Sequence, residues 1–214
     1  MSETIATQCC IAGGGPAGVM LGFLLARAGV RVVVLEKHAD FFRDFRGDTV
    51  HPSTLQIMRE LGLLQEFLRQ PHSEIRALSA QIGEHRCKLA DFGRLPAPCN
   101  FIALMPQWDF LNFLAGKARS CAALRLIMSA QVMSLIEDAG RVIGVHASTP
   151  AGPLAVSADL VVGCDGRTST VRAAAALAVQ DLGSPIDVLW FRLSKKPGDP
   201  EDVLEHLGRG SAPM

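Results

Sequence analysis

A doubly wound α/β domain carrying a β-meander and a partial antiparallel sheet is the fold class predicted by this 214-residue sequence. Three observations predict it. Apolar runs of strand length alternate with helix-period segments in the first part of the chain. From Leu124 onward the period switches to short β segments separated by turn residues. Two apolar strands, one near each end of this region, run into a glycine-containing loop and then a helix start.

The first of these strands is Cys9-Cys10-Ile11-Ala12, followed directly by Gly13-Gly14-Gly15-Pro16-Ala17-Gly18, a G-x-G-x-x-G loop, then a helix and the strand Val32-Val33-Val34-Leu35-Glu36. Gly13 permits the tight turn out of the strand, Gly15 lets bare backbone approach a pyrophosphate, and Gly18 lets the helix pack close to the sheet. Pro16 and Ala17 open a helix whose free N–H groups point at phosphates. Glu36, with Lys37 after it, ends the second strand roughly 20 residues beyond the loop, where a carboxylate accepts both hydroxyls of an adenosine ribose. A 2′-phosphate would be repelled there, so the unit reads FAD or NAD rather than NADP.

After a polar connection from His38 to Asp48, Ser53 and Gln56 have capping-box spacing and open a helix that breaks at Gly62 and resumes to Arg69. Pro71 ends it, and Glu74 to Leu89 reads as one or two antiparallel strands. A loop from Phe92 to Asn100 leads to Pro106, expected as the first residue of a helix with Phe110, Leu111, Phe113, Leu114 and Ala118 on its buried stripe. Leu124–Met128, Ala130–Glu137, Val142–Ser148 and Leu154–Val162 read as a parallel strand and then a three-stranded meander returning to the main sheet. Val161 to Arg172 repeats the opening design, and a second phosphate-facing helix N-terminus is expected at its end. Val188-Leu189-Trp190-Phe191-Arg192-Leu193 is a last strand.

Composition narrows the functional classes. A formal net charge of zero leaves no electrostatic footprint for nucleic acid, and no segment has the length of a membrane span. The apolar run Val19 to Ala28 lacks a basic region before it and reads as part of the nucleotide unit rather than as a signal peptide. Six cysteines without a C-x-x-C pair read as free thiols in a reducing compartment, and Cys9 and Cys10, adjacent on a strand, point to opposite faces. A cytoplasmic protein is expected. No metal-ligand cluster and no Ser/His/Asp constellation stands out.

Three separated pieces, Gly13 to Gly18 with Glu36, Arg46-Gly47-Asp48 leading into His51 to Leu55, and Gly163-Cys164-Asp165-Gly166 with Ser169 and Arg172, together resemble the FAD-dependent aromatic hydroxylases. These are the para-hydroxybenzoate hydroxylase-like, single-component flavoprotein monooxygenases. The resemblance covers about residues 5–195. It implies a Rossmann-like, glutathione-reductase-type FAD-binding domain in two pieces, 1–72 and 101–182, and a partial substrate-domain sheet from 73–100 and 183–214. The first loop and Glu36 would hold the ADP half of FAD, Arg46 the pyrophosphate, and Gln107 the ribityl chain or adenosine ribose. Asp165 and Gly166 would approach the pyrophosphate. Plainer readings stand beside these: Arg46 as a surface cation, Gln107 as a helix N-terminal polar residue, Asp165 as a turn or N-cap residue, Arg172 as half of a surface pair.

The activity implied is NAD(P)H-dependent hydroxylation of an aromatic or similar small organic substrate, with O₂ and a flavin hydroperoxide supplying the oxygen. An FAD reductase of the geranylgeranyl-reductase type, and an FAD-binding fragment without activity, are the alternatives. The family carries a further G-D motif after its substrate sheet that this sequence lacks, so a chain truncated at its C-terminus is expected. His51 and His72 are the histidines that could relay a proton, but both read more simply as capping or surface residues, and no catalytic acid or base is named. Trp190 and Phe191 read as packing residues, and a homodimer is compatible with the sequence but not fixed by it.

Overall fold

Small and branched side chains between polar ends make Glu3–Ala12 a strand, β1, and Gly13 to Gly15 break it before Pro16 opens a helix. The computed structural model describes residues 3–42, 49–82, 85–183, 194, 196 and 204–207. In chain order β1 is followed by α1 (Pro16–Arg27), β2 (Val32–Leu35), β3 (Thr49–Val50), α2 (Pro52–Glu60), α3 (Leu64–Phe67), β4 (Ser73–Ile75), β5 (Ala77–Ile82), β6 (His85–Asp91) and β7 (Ile102–Leu104). Then come α4 (Gln107–Arg119), β8 (Leu124–Ile127), β9 (Gln131–Asp138), β10 (Arg141–Thr149), β11 (Gly152–Gly163), α5 (Thr170–Ala174) and β12 (Leu204–Leu207).

The chain divides into one unit of Met1–Arg43 with Phe110–Asp187 and a second of Asp44–Asp109 with Val188–Met214. Residues 44–72 and 101–109, assigned from sequence to the FAD-binding domain, therefore group with the second unit. The reason lies in pairing, because β3 and β4 both hydrogen-bond to β7 and carry α2 and α3 with them.

In the first unit six strands form one sheet in the order β8-β2-β1-β11-β10-β9. The first four are mutually parallel and the last three form the antiparallel meander, as the sequence predicts. Register decides what this sheet can hold. Ala12 lies level with both Leu35 and Gly163, so β1, β2 and β11 end together and deliver Gly13, Glu36 and Cys164 to one edge of the sheet. In open α/β sheets ligands bind outside these carboxyl ends.

One face of β1 and β2, through Cys10, Ala12, Val33 and Leu35, packs against Val145, Ala147, Leu154, Val156 and Val171 from the meander and α5. The opposite face meets α1, where the absent side chain of Gly22 lets the helix approach so closely that a Cβ there would lie 2.8 Å from Val34 Cγ2. All six cysteines are free. Burial pushes the Cys10 thiol up to about 12, with Cys9 adding a smaller push, and burial and then Cys164 raise Cys9. A thiol that ionises near 9 when unfolded but higher when folded stabilises fully below that value and loses the contribution above it. Stability to urea is accordingly expected to hold steady from about pH 7 to about pH 9 and to fall beyond it, and replacing Cys10 with Ala removes that part of the slope.

The second unit contains two three-stranded sheets, β3-β7-β4, all antiparallel, and β12-β5-β6, in which β5 and β6 form a hairpin and β12 runs parallel to β5. Three expectations need correction. The capping box at Ser53 and Gln56 does not form. His51 is the N-cap without a side-chain hydrogen bond, Pro52 fills the first helical position, and Gln56 instead donates to Glu60 at 3.0 Å. The helix expected from Pro106 starts one residue later, at Gln107. Finally β3, β7 and β12 are strands that the sequence reading did not find, since two to four residues show no clear periodicity. The strand Val188 to Leu193, with Trp190 and Phe191, lies outside the described residues.

His72 is held by the Gln70 carbonyl at 2.8 Å and stacked on Phe101 at 6.4 Å, which is a packing role.

Candidate functional site

The site is built at the level ends of β1, β2 and β11. Gly13 has φ +103°, a conformation L side chains rarely adopt, and its N–H donates to the Leu35 carbonyl at 2.8 Å. A Cβ on Gly13 would collide with the Cys164 carbonyl and sit 2.8 Å from the Asp165 nitrogen, so the two glycine loops, some 150 residues apart in sequence, touch through bare backbone. The Cys164 N–H closes this junction by donating to the Ala12 carbonyl at 2.7 Å. A Cβ on Gly18 would overlap the Gly13 carbonyl oxygen, which is the close helix packing expected of the third glycine.

Gly15 differs from its neighbours. Its φ of −70° suits any residue, and a Cβ there would meet nothing within 4 Å. It is the N-cap of the twelve-residue α1, with Pro16 in the first turn, no side-chain cap and no acidic residue in that turn. An uncapped helix start with open space over its N-cap fits an anionic ligand, because the first N–H groups need acceptors and the helix dipole favours negative charge.

Glu36, only 7% exposed, lies beside this opening. Its Oε2 accepts from the Gly14 N–H at 2.8 Å and its Oε1 from the His38 N–H at 3.0 Å. These two bonds fix the orientation of the carboxylate. The sequence reading placed Glu36 as a ribose acceptor but missed that it also ties down the loop. The missing signal is a backbone N–H, which no residue identity announces. Lys37 is exposed beside it.

The second loop is arranged otherwise than expected. Asp165 Oδ1 accepts from the Ser169 hydroxyl at 2.5 Å, and Oδ2 accepts from the N–H groups of Thr170 at 2.7 Å and Val171 at 3.2 Å. The Ser169 Oγ accepts from the Arg172 N–H at 3.0 Å. The N-terminus of the five-residue α5 is therefore occupied by its own carboxylate, which corrects the expectation of a second phosphate-facing helix end. Gly166, with φ +86°, has open space around it and is what this loop offers to a ligand. Arg172 donates to the Arg167 carbonyl at 2.6 Å and so braces the loop. Burial, and then the charge of Asp165, raises the Cys164 thiol, which disfavours its thiolate form.

Of the sequence-derived site residues, Gly13, Gly15, Pro16, Ala17, Gly18, Glu36, Lys37, Asp165 and Gly166 thus lie in one unit. Gln107 is half-buried at the start of α4 in the other unit, and Arg46 lies outside the described residues. No group of three or more His, Cys, Asp or Glu able to hold a metal occurs among the described residues, and no described helix is long and apolar enough to cross a membrane.

The profile of a family described as FAD binding domain matches residues 6–210. A 6-methylpretetramide 4-monooxygenase from Streptomyces rimosus is 33% identical over 189 residues, covering 88% of this chain and 45% of the relative. A dialkyldecalin synthase from Streptomyces rugosporus is 33% identical over 209 residues, covering 97% and 41%. Among solved structures, p-nitrophenol 4-monooxygenase PnpA from Pseudomonas putida DLL-E4 superimposes with a TM-score of 0.70 at 27% identity, covering 80% of this chain and 44% of that one. The chain spans less than half the length of the curated relatives it matches.

Proposed function

Because the chain belongs to the FAD binding domain family, we propose that the Gly13–Gly18 loop, Glu36 and the Gly166 turn hold the ADP half of FAD, in a protein that is an NAD(P)H-dependent monooxygenase of small aromatic substrates. The observation that carries the cofactor reading is the uncapped α1 N-terminus with open space over Gly15, beside a carboxylate fixed by the Gly14 and His38 N–H groups. Bound FAD would supply electron transfer from NADH or NADPH and the activation of O₂. This chain's own residues do the binding. The first N–H groups of α1 take the pyrophosphate, Glu36 takes the adenosine ribose, and Asp165 holds the second loop so that Gly166 faces the phosphates. Lys37, Arg46 and Gln107 are assigned to the cofactor by the resemblance alone. Two of the compared proteins are named monooxygenases, which supports the activity. A cytoplasmic location and a homodimer belong to the same reading.

One observation favours a second reading: a relative of equal identity is named a synthase rather than a monooxygenase. On that reading the chain binds FAD without consuming NAD(P)H.

Incubation of the 214-residue chain with excess FAD, followed by desalting and a visible spectrum, is the test. A retained, protein-shifted flavin band is expected, and a colourless protein would defeat the cofactor assignment. Oxygen-dependent NAD(P)H consumption stimulated by phenols then separates the two readings.

A further inference from the structure

Asp165-Gly166 is the only place in the 214 residues where an aspartate or an asparagine precedes a glycine. The backbone nitrogen after an aspartate can attack the side-chain carboxyl carbon and close a cyclic imide, and glycine, with no side chain, obstructs that approach least. Here the nitrogen is accessible. Gly166 is exposed, its N–H makes no hydrogen bond among the described residues, and a Cβ on it would meet nothing within 4 Å. What the structure withholds is the carboxyl group. Both Asp165 oxygens are turned toward the start of α5, where the Ser169 hydroxyl donates at 2.5 Å and the N–H groups of Thr170 and Val171 at 2.7 and 3.2 Å. Ring closure turns the carboxyl group back on its own backbone, so these three bonds must open first. A helix of five residues opens more readily than the sheet behind it. Ser169 governs how often. It is the N-cap of α5 and only 8% exposed, and its Oγ accepts from the Arg172 N–H at 3.0 Å while its hydroxyl donates to Asp165. One side chain thus ties the carboxylate to the first turn of the helix.

We propose that Asp165-Gly166 is a latent site of self-modification, where aspartate converts to isoaspartate through a cyclic imide, and that Ser169 is the latch that keeps it closed. The Gly166 nitrogen forms a bond to Asp165 Cγ, the Cγ–O bond breaks, and the departing oxygen leaves as water with the amide proton and the carboxyl proton. Water then opens the ring at one of its two carbonyls, restoring aspartate or leaving isoaspartate. No oxidant, reductant or cofactor takes part. Isoaspartate carries the main chain through Cβ and so lengthens it by one methylene group. Upstream the backbone is fixed, because the Cys164 N–H donates to the Ala12 carbonyl at 2.7 Å and Gly13 rests on the Cys164 carbonyl. The added length therefore pushes Gly166 into the open space around it, and the sheet is left intact while the loop is displaced. On the cofactor reading above, this is the turn that faces the phosphates.

The test is proteolytic digestion and mass spectrometry of the whole chain after several days at neutral pH in heavy-oxygen water. Opening of the imide by solvent fixes a heavy oxygen at residue 165 whichever product forms. The wild-type chain unfolded in guanidinium chloride should take up label at Asp165, and the folded chain should do so more than about tenfold more slowly. Folded Ser169→Ala, its far-UV spectrum unchanged, should label roughly five- to tenfold faster than folded wild type, the gain in open population expected from one lost hydrogen bond. Equal labelling of the folded and unfolded wild type, which needs no variant, overturns the proposal. So does Ser169→Ala labelling at the wild-type rate, or an absence of label at Asp165 in the unfolded chain. All of these readings are made without FAD, so this proposal and the cofactor assignment fail separately.

Discussion

Gly18→Ala is expected to lower the melting temperature of the chain by about 6 to about 12 °C, whereas Gly15→Ala, three residues earlier in the same loop, should leave it unchanged and abolish FAD retention. The contrast follows from what each new methyl group meets. At Gly18 it overlaps the Gly13 carbonyl oxygen and comes within 3.1 Å of that carbonyl carbon and 3.3 Å of Cys164 Cβ. Two of these are backbone atoms locked by the junction of β1 with β11, so the helix must move. Overpacking of this kind costs ~3 kcal/mol, and a chain of this size loses about 2–4 °C per kcal/mol. At Gly15 the methyl meets nothing within 4 Å and the backbone already suits alanine, so the empty protein does not register it. The methyl fills the space where bare backbone would approach a pyrophosphate, so the loss appears only in binding. Thermal melts of both variants, paired with flavin spectra after desalting, decide the matter. Retained FAD in Gly15→Ala would remove the pyrophosphate from this loop.

Glu36→Gln is expected to weaken FAD binding by about tenfold to about a hundredfold and to cost the empty protein a further ~1–2 kcal/mol. An amide has one acceptor oxygen where the carboxylate has two. If that oxygen keeps the Gly14 N–H, the new NH₂ faces the N–H of His38, donor against donor, in a group only 7% exposed. The stability cost comes from that unsatisfied pair, and the affinity cost from replacing charge-assisted bonds to the ribose with neutral ones. Fluorescence titration with FAD measures the second and urea unfolding without FAD the first. Unchanged affinity together with reduced stability would make Glu36 a brace for the loop and nothing more.

Much of the first unit is legible in the chain. The order of β1, α1 and β2, the meander from Leu124 onward and the glycine loops rest on signals confined to a few neighbouring residues: a switch in hydrophobic period, a proline at a helix start, glycine where φ is positive. Elements held by long-range pairing were not legible. β3 and β7 are two and three residues long and exist because they hydrogen-bond to each other, and β12 exists as a partner of β5. His51 rather than Ser53 caps α2 because Pro52, with no N–H to satisfy, takes the first helical position.

At the site the division is similar. The residues Gly13, Gly15, Gly18, Glu36 and Asp165, which we propose face the cofactor, stand out in the sequence because a nucleotide-binding turn calls for those residue types at that spacing. Only the tertiary structure assigned their partners. Glu36 binds the backbone of Gly14, Gly13 rests on the Cys164 carbonyl, and Asp165 spends its carboxylate on the helix that follows it. The physical reason is range. Backbone conformation and hydrophobic period act between neighbours and are written in local sequence, whereas the register that levels Ala12, Leu35 and Gly163 emerges only when distant strands pair.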